Sequence, residues 1–193
     1  MNNKKLKGIT ALEMNESYLR VMQWFFSYPS KEIGLTDLSE TLGIAKITAR
    51  QVVMALVETG FLKVETIGKM WRISSNPSHP YNFTWKITYN LNLLFSSFIL
   101  NEVHKIIPYP KATILFGSYR KGDDIETSDL DIAVEVIGND GPKIIEMKPI
   151  DTFGYRKNVP VHLYVFSRNN VDINLFANIA NGIVLEGFLE VRP

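Results

Sequence analysis

Residues 112 to 136 bring together the side chains of this sequence that are best suited to chemistry. An apolar run, ATILF, ends at Gly117 and Ser118, and a second apolar run opens with Asp129 and Asp131. Because side chains alternate between the two faces of a strand, aspartates separated by one residue project from the same face. Their carboxylates repel each other unless a cation lies between them, and Mg²⁺ prefers oxygen ligands of this kind.

The Gly-Ser pair and the residues after it suit a phosphate group. Gly117 has no side chain, so the backbone amides beside it can approach a phosphate closely. Arg120 and Lys121 place two positive charges next to the pair. Together with the two aspartates, these features indicate metal-assisted handling of a nucleoside triphosphate. Solvated surface charge is the alternative explanation for Arg120 and Lys121.

The elements that must position these residues are two strands. The segments KATILFG and SDLDIAVEV both alternate with a period of two, which predicts a buried strand in each. On the second strand, the side chains expected to face the core are Leu130, Ile132, Val134 and Val136. The opposite face is expected to carry Asp129, Asp131, Ala133 and Glu135.

This pattern resembles the signature of the minimal nucleotidyltransferases of the DNA polymerase beta-like superfamily. In that signature a strand, Gly-Ser, a spacer and Asp-x-Asp on the next strand follow one another. The spacer here, YRKGDDIETS, has ten residues. The tail FANIANGIVLEGFLEV is similar to the closing helix and strand of these domains, so the resemblance covers about residues 110 to 191. It implies a small mixed-sheet α/β domain.

The resemblance also implies a role for each residue of the motif. The nucleotide-binding residues would be Gly117, Ser118, Arg120 and Lys121. Asp129 and Asp131 would be the catalytic residues that bind Mg²⁺ and orient the α-phosphate, while an acceptor hydroxyl attacks and pyrophosphate leaves. ATP is the expected nucleotide, although no residue marks ATP over GTP. The acceptor, a protein or another molecule, is not encoded in the motif.

The sequence departs from the family where active members carry a third carboxylate on a later strand. The corresponding segment is VPVHLYVFS, and the residue at the matching position is His162. An imidazole suits Mg²⁺ less well than a carboxylate does, although its pKa suits some general-base role. Glu135 and Glu146 are the alternative acids. The preceding segment KIIEMKP is expected to form an additional short strand.

The first third of the chain has a different pattern. Three helices are predicted over SYLRVMQWFFSY, LTDLSETLGI and AKITARQVVMALVETG, with Thr36 as the cap of the second. Two strands around a turn at Gly68 are predicted over FLKVETIG and KMWRISS. This order, over roughly residues 16 to 75, resembles a winged helix-turn-helix domain, in which the third helix would lie in the major groove of DNA. The candidate DNA contacts are Lys46, Arg50, Gln51 and Lys69.

Two observations favour a protein contact instead of DNA in this region. Residues 1 to 78 contain ten basic and seven acidic residues, and a net charge of +3 is a modest attraction for phosphates. The third helix is also expected to expose Ile47, Met54 and Val57, which could pack on another domain or subunit. Binding of duplex DNA and a protein contact, such as that of a homodimer, are therefore both open.

The middle of the chain sets the expected domain organisation. The segment SSNPSHPYN is rich in proline and serine, which indicates a boundary. An apolar pattern with helical spacing follows from about Thr88 to Ile107. We predict an α+β protein with a winged helix domain in residues 1–78, a linker and connecting helix in 79–109, and a nucleotidyltransferase domain in 110–193.

The composition is that of a folded protein and excludes several classes. Apolar content is 46%, charged content is 21% and the net charge is +1, which excludes a strongly basic protein. There is no cysteine, so disulfides and thiolate metal sites are excluded. The first residues lack the apolar run of a signal peptide, and LNLLFSSFIL is too short to span a bilayer. We therefore expect a cytoplasmic protein without a membrane partner.

Three functions are consistent with these patterns. The first is an active transferase that adds a nucleoside monophosphate to a protein or another acceptor, as related minimal enzymes do. The second is a DNA-binding transcriptional regulator whose nucleotidyltransferase domain only senses a nucleotide. The third is a scaffold in which both sites have decayed.

Overall fold

The computed structural model describes residues 15–138 and 141–191. The chain forms two compact units, Met1–Pro77 and Ser78–Pro193. The division falls within the segment SSNPSHPYN, where prolines restrict the backbone and few apolar side chains are present to extend a core. In the part of the chain that is described, no helix is long and apolar enough to cross a membrane.

Three helices and a strand hairpin make up the first unit. Their bounds are α1, Glu16–Ser27; α2, Leu35–Leu42; α3, Lys46–Glu58; β1, Leu62–Ile67; and β2, Met70–Ser75. The two strands pair antiparallel, from Leu62 opposite Ser75 to Ile67 opposite Met70. Gly68 adopts a φ of 62° in the turn between them, which confirms the predicted hairpin. Completely buried side chains from every helix form the core, among them Val21, Phe25, Leu38, Val53 and Leu56.

The start of α2 differs from the prediction. Gly34 is the N-cap residue, and its carbonyl accepts a hydrogen bond of 2.9 Å from the amide of Leu38. Thr36 lies inside the first turn, where its hydroxyl accepts a hydrogen bond of 2.7 Å from Nζ of Lys46. The predicted cap at Thr36 is wrong because the chain turns into the helix earlier, at a glycine. The predicted end of the helix at Gly43 is confirmed, since Gly43 has a φ of 62°.

The second unit is built on a five-stranded sheet with α/β character. Its elements are α4, Trp85–Ser96; α5, Ile99–Ile106; β3, Ala112–Phe116; α6, Gly117–Lys121; β4, Leu130–Glu135; β5, Lys143–Phe153; β6, Arg156–Phe166; α7, Ile173–Ala180; and β7, Ile183–Gly187. Short 3₁₀ helices cover Pro80–Phe83 and Arg168–Asn170. The strand order is β5-β6-β4-β3-β7. The β4–β6 pair is parallel, while the β3–β4, β3–β7 and β5–β6 pairs are antiparallel, so the sheet is mixed as predicted.

The two faces of this sheet have different neighbours. One face packs against α4 and α5, with a core that includes Leu94, Val103, Leu130, Ile132 and Leu163. The other face packs against α7 in a smaller cluster that includes Ile114, Phe116, Ala133, Phe166 and Ile179. The period-two predictions for β3 and β4 are confirmed, because alternate residues of these strands fall into the two clusters, and β6 alternates in the same way.

The helix predicted from Thr88 to Ile107 is two helices, α4 and α5. Phe98 separates them with a φ of 56°, a left-handed conformation that ends α4. The hydroxyl of Ser97 donates a hydrogen bond of 2.7 Å to the carbonyl of Leu94, and such local side-chain bonds compete with helix continuation. Both helices lie in the second unit and pack on its sheet. Residues 79–109, which were predicted to be a linker and a connecting helix, contribute side chains of α4 and α5 to the core of that unit.

Candidate active site

The site is located where β3 ends and α6 begins. Phe116, the last residue of β3, pairs with Asp131 of β4. Gly117 follows with a φ of 71°, a conformation that favours glycine. A β-carbon added to Gly117 would overlap Oδ2 of Asp131 and would lie 3.2 Å from its Cγ. Glycine is therefore favoured at this position for two reasons: its backbone conformation is left-handed, and the side chain of Asp131 leaves no room for a β-carbon.

The two aspartates and His162 face one another. Asp129 immediately precedes β4, and Asp131 pairs with His162 across the parallel β4–β6 ladder. Nδ1 of His162 lies 3.7 Å from Oδ2 of Asp129 and 3.8 Å from Oδ1 of Asp131. The side chains are 40%, 23% and 28% exposed for Asp129, Asp131 and His162, so a ligand can reach all three. The prediction that the two aspartates share one face is confirmed.

Negative charge is concentrated at this end of the sheet. Burial raises the pKa of Asp131, and the neighbouring charge of Asp129 raises it further, while His162 acts in the opposite direction. Burial also raises the pKa of Tyr164, and both aspartates add to this effect. Tyr164 lies on the same face of β6 as His162, and its ring contacts that of Phe116 at a centroid distance of 5.0 Å. Neutralisation of this charge by a bound cation is electrostatically favourable.

Of the two alternative acids, Glu146 lies beside His162 and Glu135 lies away from the site. Glu135 is at the other end of β4, about 13 Å along the strand from Asp131. Its side chain is 2% exposed and forms an ion pair of 2.9 Å with Lys111, so it cannot join the site. Glu146 pairs with His162 across the antiparallel β5–β6 ladder and is exposed. Asp131, His162 and Glu146 therefore form one row across three neighbouring strands, with their side chains on one face.

Comparison with known proteins agrees with this geometry. Residues 98–172 match the family model of the nucleotidyltransferase domain. The match is consistent with the polymerase beta-like superfamily and supports a nucleotidyltransferase-like function for this unit. It begins upstream of residue 110, where the resemblance began, and it ends before α7. A search of curated proteins found no match.

The side chains of Asp129 and Asp131 fit a hard cation such as Mg²⁺. They offer carboxylate oxygens from one face of the sheet, and Mg²⁺ prefers oxygen ligands over nitrogen. Within residues 15–138 and 141–191, no group of three or more His, Asp or Glu side chains is arranged to hold a metal ion. Two carboxylates are a ligand set that suits Mg²⁺, which commonly takes one or two carboxylates from a protein and its other ligands from phosphate oxygens and water.

The four predicted nucleotide-binding residues all lie in α6. Gly117 and Ser118 form its first turn, where helix amides have no partner within the helix. Arg120 is half-buried and Lys121 is exposed in the second half of the helix. Tyr119 lies between the two pairs and points into the core, with 2% of its surface exposed. The helix itself was not predicted, since five residues carry too little periodicity to reveal it.

A buried polar cluster of the second unit was missed by the sequence analysis. Lys86 of α4 forms an ion pair of 3.3 Å with Asp124, which lies in the spacer of the motif. Asn90, one turn further along α4, donates hydrogen bonds to Oδ1 of Asp124 at 2.8 Å and to the carbonyl of Tyr119 at 3.1 Å. Three side chains that are almost completely buried thus hold the spacer against α4. Lys86 and Asn90, four residues apart within an apolar helical pattern, were the available signal.

Three of the four predicted DNA-binding residues lie together in the first unit. Lys46, Arg50 and Lys69 line a groove of about 820 Å³ between α2, α3 and the β1–β2 hairpin. Cζ of Arg50 lies 5.0 Å from the ring centroid of Trp71, which lines the same groove. Gln51 is exposed on α3 outside the groove. Ile47 is 70% exposed on the same helix, as the protein-contact alternative predicted.

Proposed function

We propose that the second unit transfers a nucleoside monophosphate from a nucleoside triphosphate to an acceptor hydroxyl with the help of Mg²⁺. The observation that carries the proposal is the contact between Gly117 and Asp131. A glycine that cannot accept a side chain leaves backbone next to a carboxylate pair, so that a phosphate and a cation can be bound side by side. The match of residues 98–172 to the nucleotidyltransferase domain supports the same conclusion.

Each residue contributes binding or orientation to this reaction. The cation, held by Asp129 and Asp131, would supply charge neutralisation at the α-phosphate. Backbone amides at Gly117 and Ser118 would hold the triphosphate, with Arg120 and Lys121 as further positive charges. The acceptor hydroxyl would lose its proton to water and its oxygen would form a bond to the α-phosphorus, while the bond from that phosphorus to the bridging oxygen would break to release pyrophosphate.

His162 makes the predicted reaction slower than that of a site with three carboxylates. It stands in the row next to Asp131, where the resemblance places the third acid. A neutral imidazole cannot add negative charge to the cation site, so the cation depends on two protein carboxylates. We therefore propose a weak transferase, with ATP as the expected nucleotide and with a protein or another molecule as the acceptor.

Calorimetric titration of each nucleoside triphosphate into the protein, with and without Mg²⁺, tests the proposal without knowledge of the acceptor. The wild-type protein should bind a triphosphate only when Mg²⁺ is present, and the double variant Asp129→Asn/Asp131→Asn should lose this binding. Asp151→Asn, which changes an exposed carboxylate on β5, is the matched control and should bind normally. Equal binding by the wild type and the double variant would contradict the proposal.

A second candidate function is transcriptional regulation through duplex DNA bound by the first unit. The observation in its favour is that Lys46, Arg50 and Lys69 line one groove beside the hairpin. We expect the variant with all three changed to Ala to bind DNA more weakly in a gel shift. Loss of three phosphate contacts would reduce the slope of log K against log salt by about 2.7. Lys148→Ala, an exposed change on β5 of the second unit, is the control, and absence of duplex binding at low salt would exclude this function.

A further inference from the structure

Arg156 connects both halves of the Gly-Ser and Asp-x-Asp motif. It is the first residue of β6, and only 6% of its surface is exposed. Its Nη1 donates a hydrogen bond to the hydroxyl of Tyr119, which follows Ser118 in α6. Its Nη2 donates a hydrogen bond of 2.7 Å to the carbonyl of Ser128, which precedes Asp129. One buried guanidinium thus touches the segment that follows the glycine and the segment that precedes the aspartates.

The bond to Ser128 fixes the backbone at Asp129. The carbonyl of Ser128 and the amide nitrogen of Asp129 belong to the same planar peptide group, so holding the oxygen also orients the nitrogen. Asp129 lies just outside β4, which begins at Leu130, so the contact of Arg156 is made at the end of the strand. Ser128 also closes a tight turn with Ile125, in which Ser128 Oγ accepts from the amide of Ile125 at 2.9 Å. Arg156 therefore holds the end of a compact turn from which Asp129 projects.

The bond to Tyr119 fixes α6. Tyr119 is almost completely buried, and its ring packs edge-on against Phe153 at a centroid distance of 5.7 Å. Cζ of Arg156 lies 5.7 Å from the Tyr119 ring centroid, so the guanidinium contacts both the ring and the hydroxyl. Burial raises the pKa of Tyr119, which keeps the phenol protonated. A planar guanidinium has donors in a fixed fork, which lets it hold two acceptors at a set separation.

We propose that Arg156 is a positioning residue that sets the separation between Gly117 and Asp129, and with it the geometry of the cation and triphosphate site. The cost of burying a positive charge is offset by hydrogen bonds that reach both halves of the motif. Residues that orient metal ligands without touching the metal typically change metal affinity or activity by about 10–100-fold when they are mutated. This inference rests on the proposed function for its effect on nucleotide, but not for its effect on the backbone.

The test compares Arg156→Lys with Arg168→Lys. The lysine at position 156 keeps the positive charge but lacks the fork that reaches both Tyr119 and Ser128. Arg168, which pairs with Glu190 at 2.7 Å, provides the same chemical change away from the motif. Amide hydrogen exchange is measured by mass spectrometry without ligand. Mg²⁺-dependent nucleoside triphosphate binding is measured by calorimetry on the same samples.

In Arg156→Lys we expect faster exchange in residues 122–130 by about tenfold or more, with exchange in β3 and β6 unchanged. The concentration of Mg²⁺ at half-saturation with a triphosphate should rise about tenfold or more. Tyr119→Phe, which removes one acceptor and leaves the Ser128 bond, should give a smaller change in both quantities. The Arg168→Lys control should resemble the wild type.

Two results would overturn the inference. In the first, exchange in residues 122–130 and the Mg²⁺ requirement are the same in Arg156→Lys as in Arg168→Lys. In the second, exchange increases equally in all strands, which would make Arg156 a general contributor to stability. If the wild-type protein binds no nucleoside triphosphate, the proposed function fails, and the exchange result alone decides whether Arg156 positions Asp129.

Discussion

Gly117 lies so close to Asp131 that any side chain at position 117 would displace the carboxylate: the added β-carbon would be 3.2 Å from Cγ and 3.3 Å from Cβ of Asp131. The two residues belong to different halves of the motif and meet only because Phe116 pairs with Asp131 in the β3–β4 ladder. The backbone conformation at Gly117 and the position of the Asp131 carboxylate therefore depend on each other.

Gly117→Ala is expected to abolish Mg²⁺-dependent nucleotide binding while the protein still folds. The methyl group must push Asp131 away, and the left-handed backbone conformation should lower the free energy of unfolding by about 1–2 kcal/mol. Gly68→Ala is the matched control, since Gly68 has a φ of 62° and nothing within 4 Å of its added β-carbon. Calorimetry and urea unfolding of both variants separate the two effects. Normal binding by Gly117→Ala would show that Asp131 is not held where the structure places it.

Asp131→Asn is expected to stabilise the protein at neutral pH. Burial and the charge of Asp129 raise the pKa of Asp131 in the folded state, so the folded protein binds this proton more tightly than the unfolded chain does. The stabilisation is therefore complete below the unfolded pKa of about 3.9 and is lost as pH rises through the folded value. At pH 7 the ionised carboxylate lowers stability, and its removal should increase the free energy of unfolding by about 0.5–2 kcal/mol.

Urea unfolding of Asp131→Asn and the wild type between pH 3.5 and pH 8 measures this dependence. The difference between the two curves should shrink toward acid pH, and Asp151→Asn should stay within about 0.5 kcal/mol of the wild type. A difference that does not vary with pH would mean that the gain comes from something other than the ionised carboxylate.

Lys86→Met is expected to destabilise the protein by about 3–5 kcal/mol, because it leaves the charge of Asp124 buried without its partner. Burial lowers the pKa of Lys86 and raises that of Asp124, and the charge of each group opposes the shift of the other. The double variant Lys86→Met/Asp124→Asn removes both charges and keeps an oxygen for Asn90, so it should recover part of the loss. A double-mutant cycle in urea measures the coupling. If the effects of the two single changes on the free energy of unfolding simply add, the predicted coupling of Lys86 and Asp124 is wrong.

His162→Asp is expected to improve the cation site. The new carboxylate would occupy the position next to Asp131 in the parallel ladder, and a third negative oxygen ligand should raise the affinity for Mg²⁺ in the presence of a triphosphate by about tenfold. His162→Asn, which removes the imidazole without adding charge, is the control and should not improve affinity. Calorimetric titration of Mg²⁺ distinguishes them. Equal affinities of the two variants would place the third ligand elsewhere, with Glu146 as the next residue to change.

The sequence predicted well those features whose cause is local. Alternation along β4 is a property of consecutive residues, so the faces of Asp131 and Leu130 followed directly. The break at Phe98 was missed because the apolar spacing continues on both sides of it, while a single backbone torsion ends the helix. The length of β5 was also underestimated, since an edge strand that is largely exposed has a weak apolar pattern.

The supports of the site could not be predicted, because their contacts join residues that are far apart in the chain. Arg156 meets residues 28 and 37 positions earlier, and Lys86 meets a residue 38 positions later. No local pattern distinguishes an arginine at the start of a strand from an ordinary surface charge. The role of Arg156 becomes apparent only in the structure, where one guanidinium contacts both the turn before Asp129 and the short helix α6.

The alternation of β4 and β6 has a consequence for how such a domain can evolve. Asp131 and His162 lie on one face, and their neighbours Leu130 and Leu163 lie on the other, inside the helix-covered core. Single substitutions on the face of Asp131 and His162 can remove, restore or alter activity, because the core residues that maintain the fold lie on the other face. Insertion or loss of one residue in either strand would exchange the two faces of that strand, so that both the candidate site and the core would be disrupted. Lineages of this domain should therefore gain and lose activity by substitution, with the lengths of these two strands preserved.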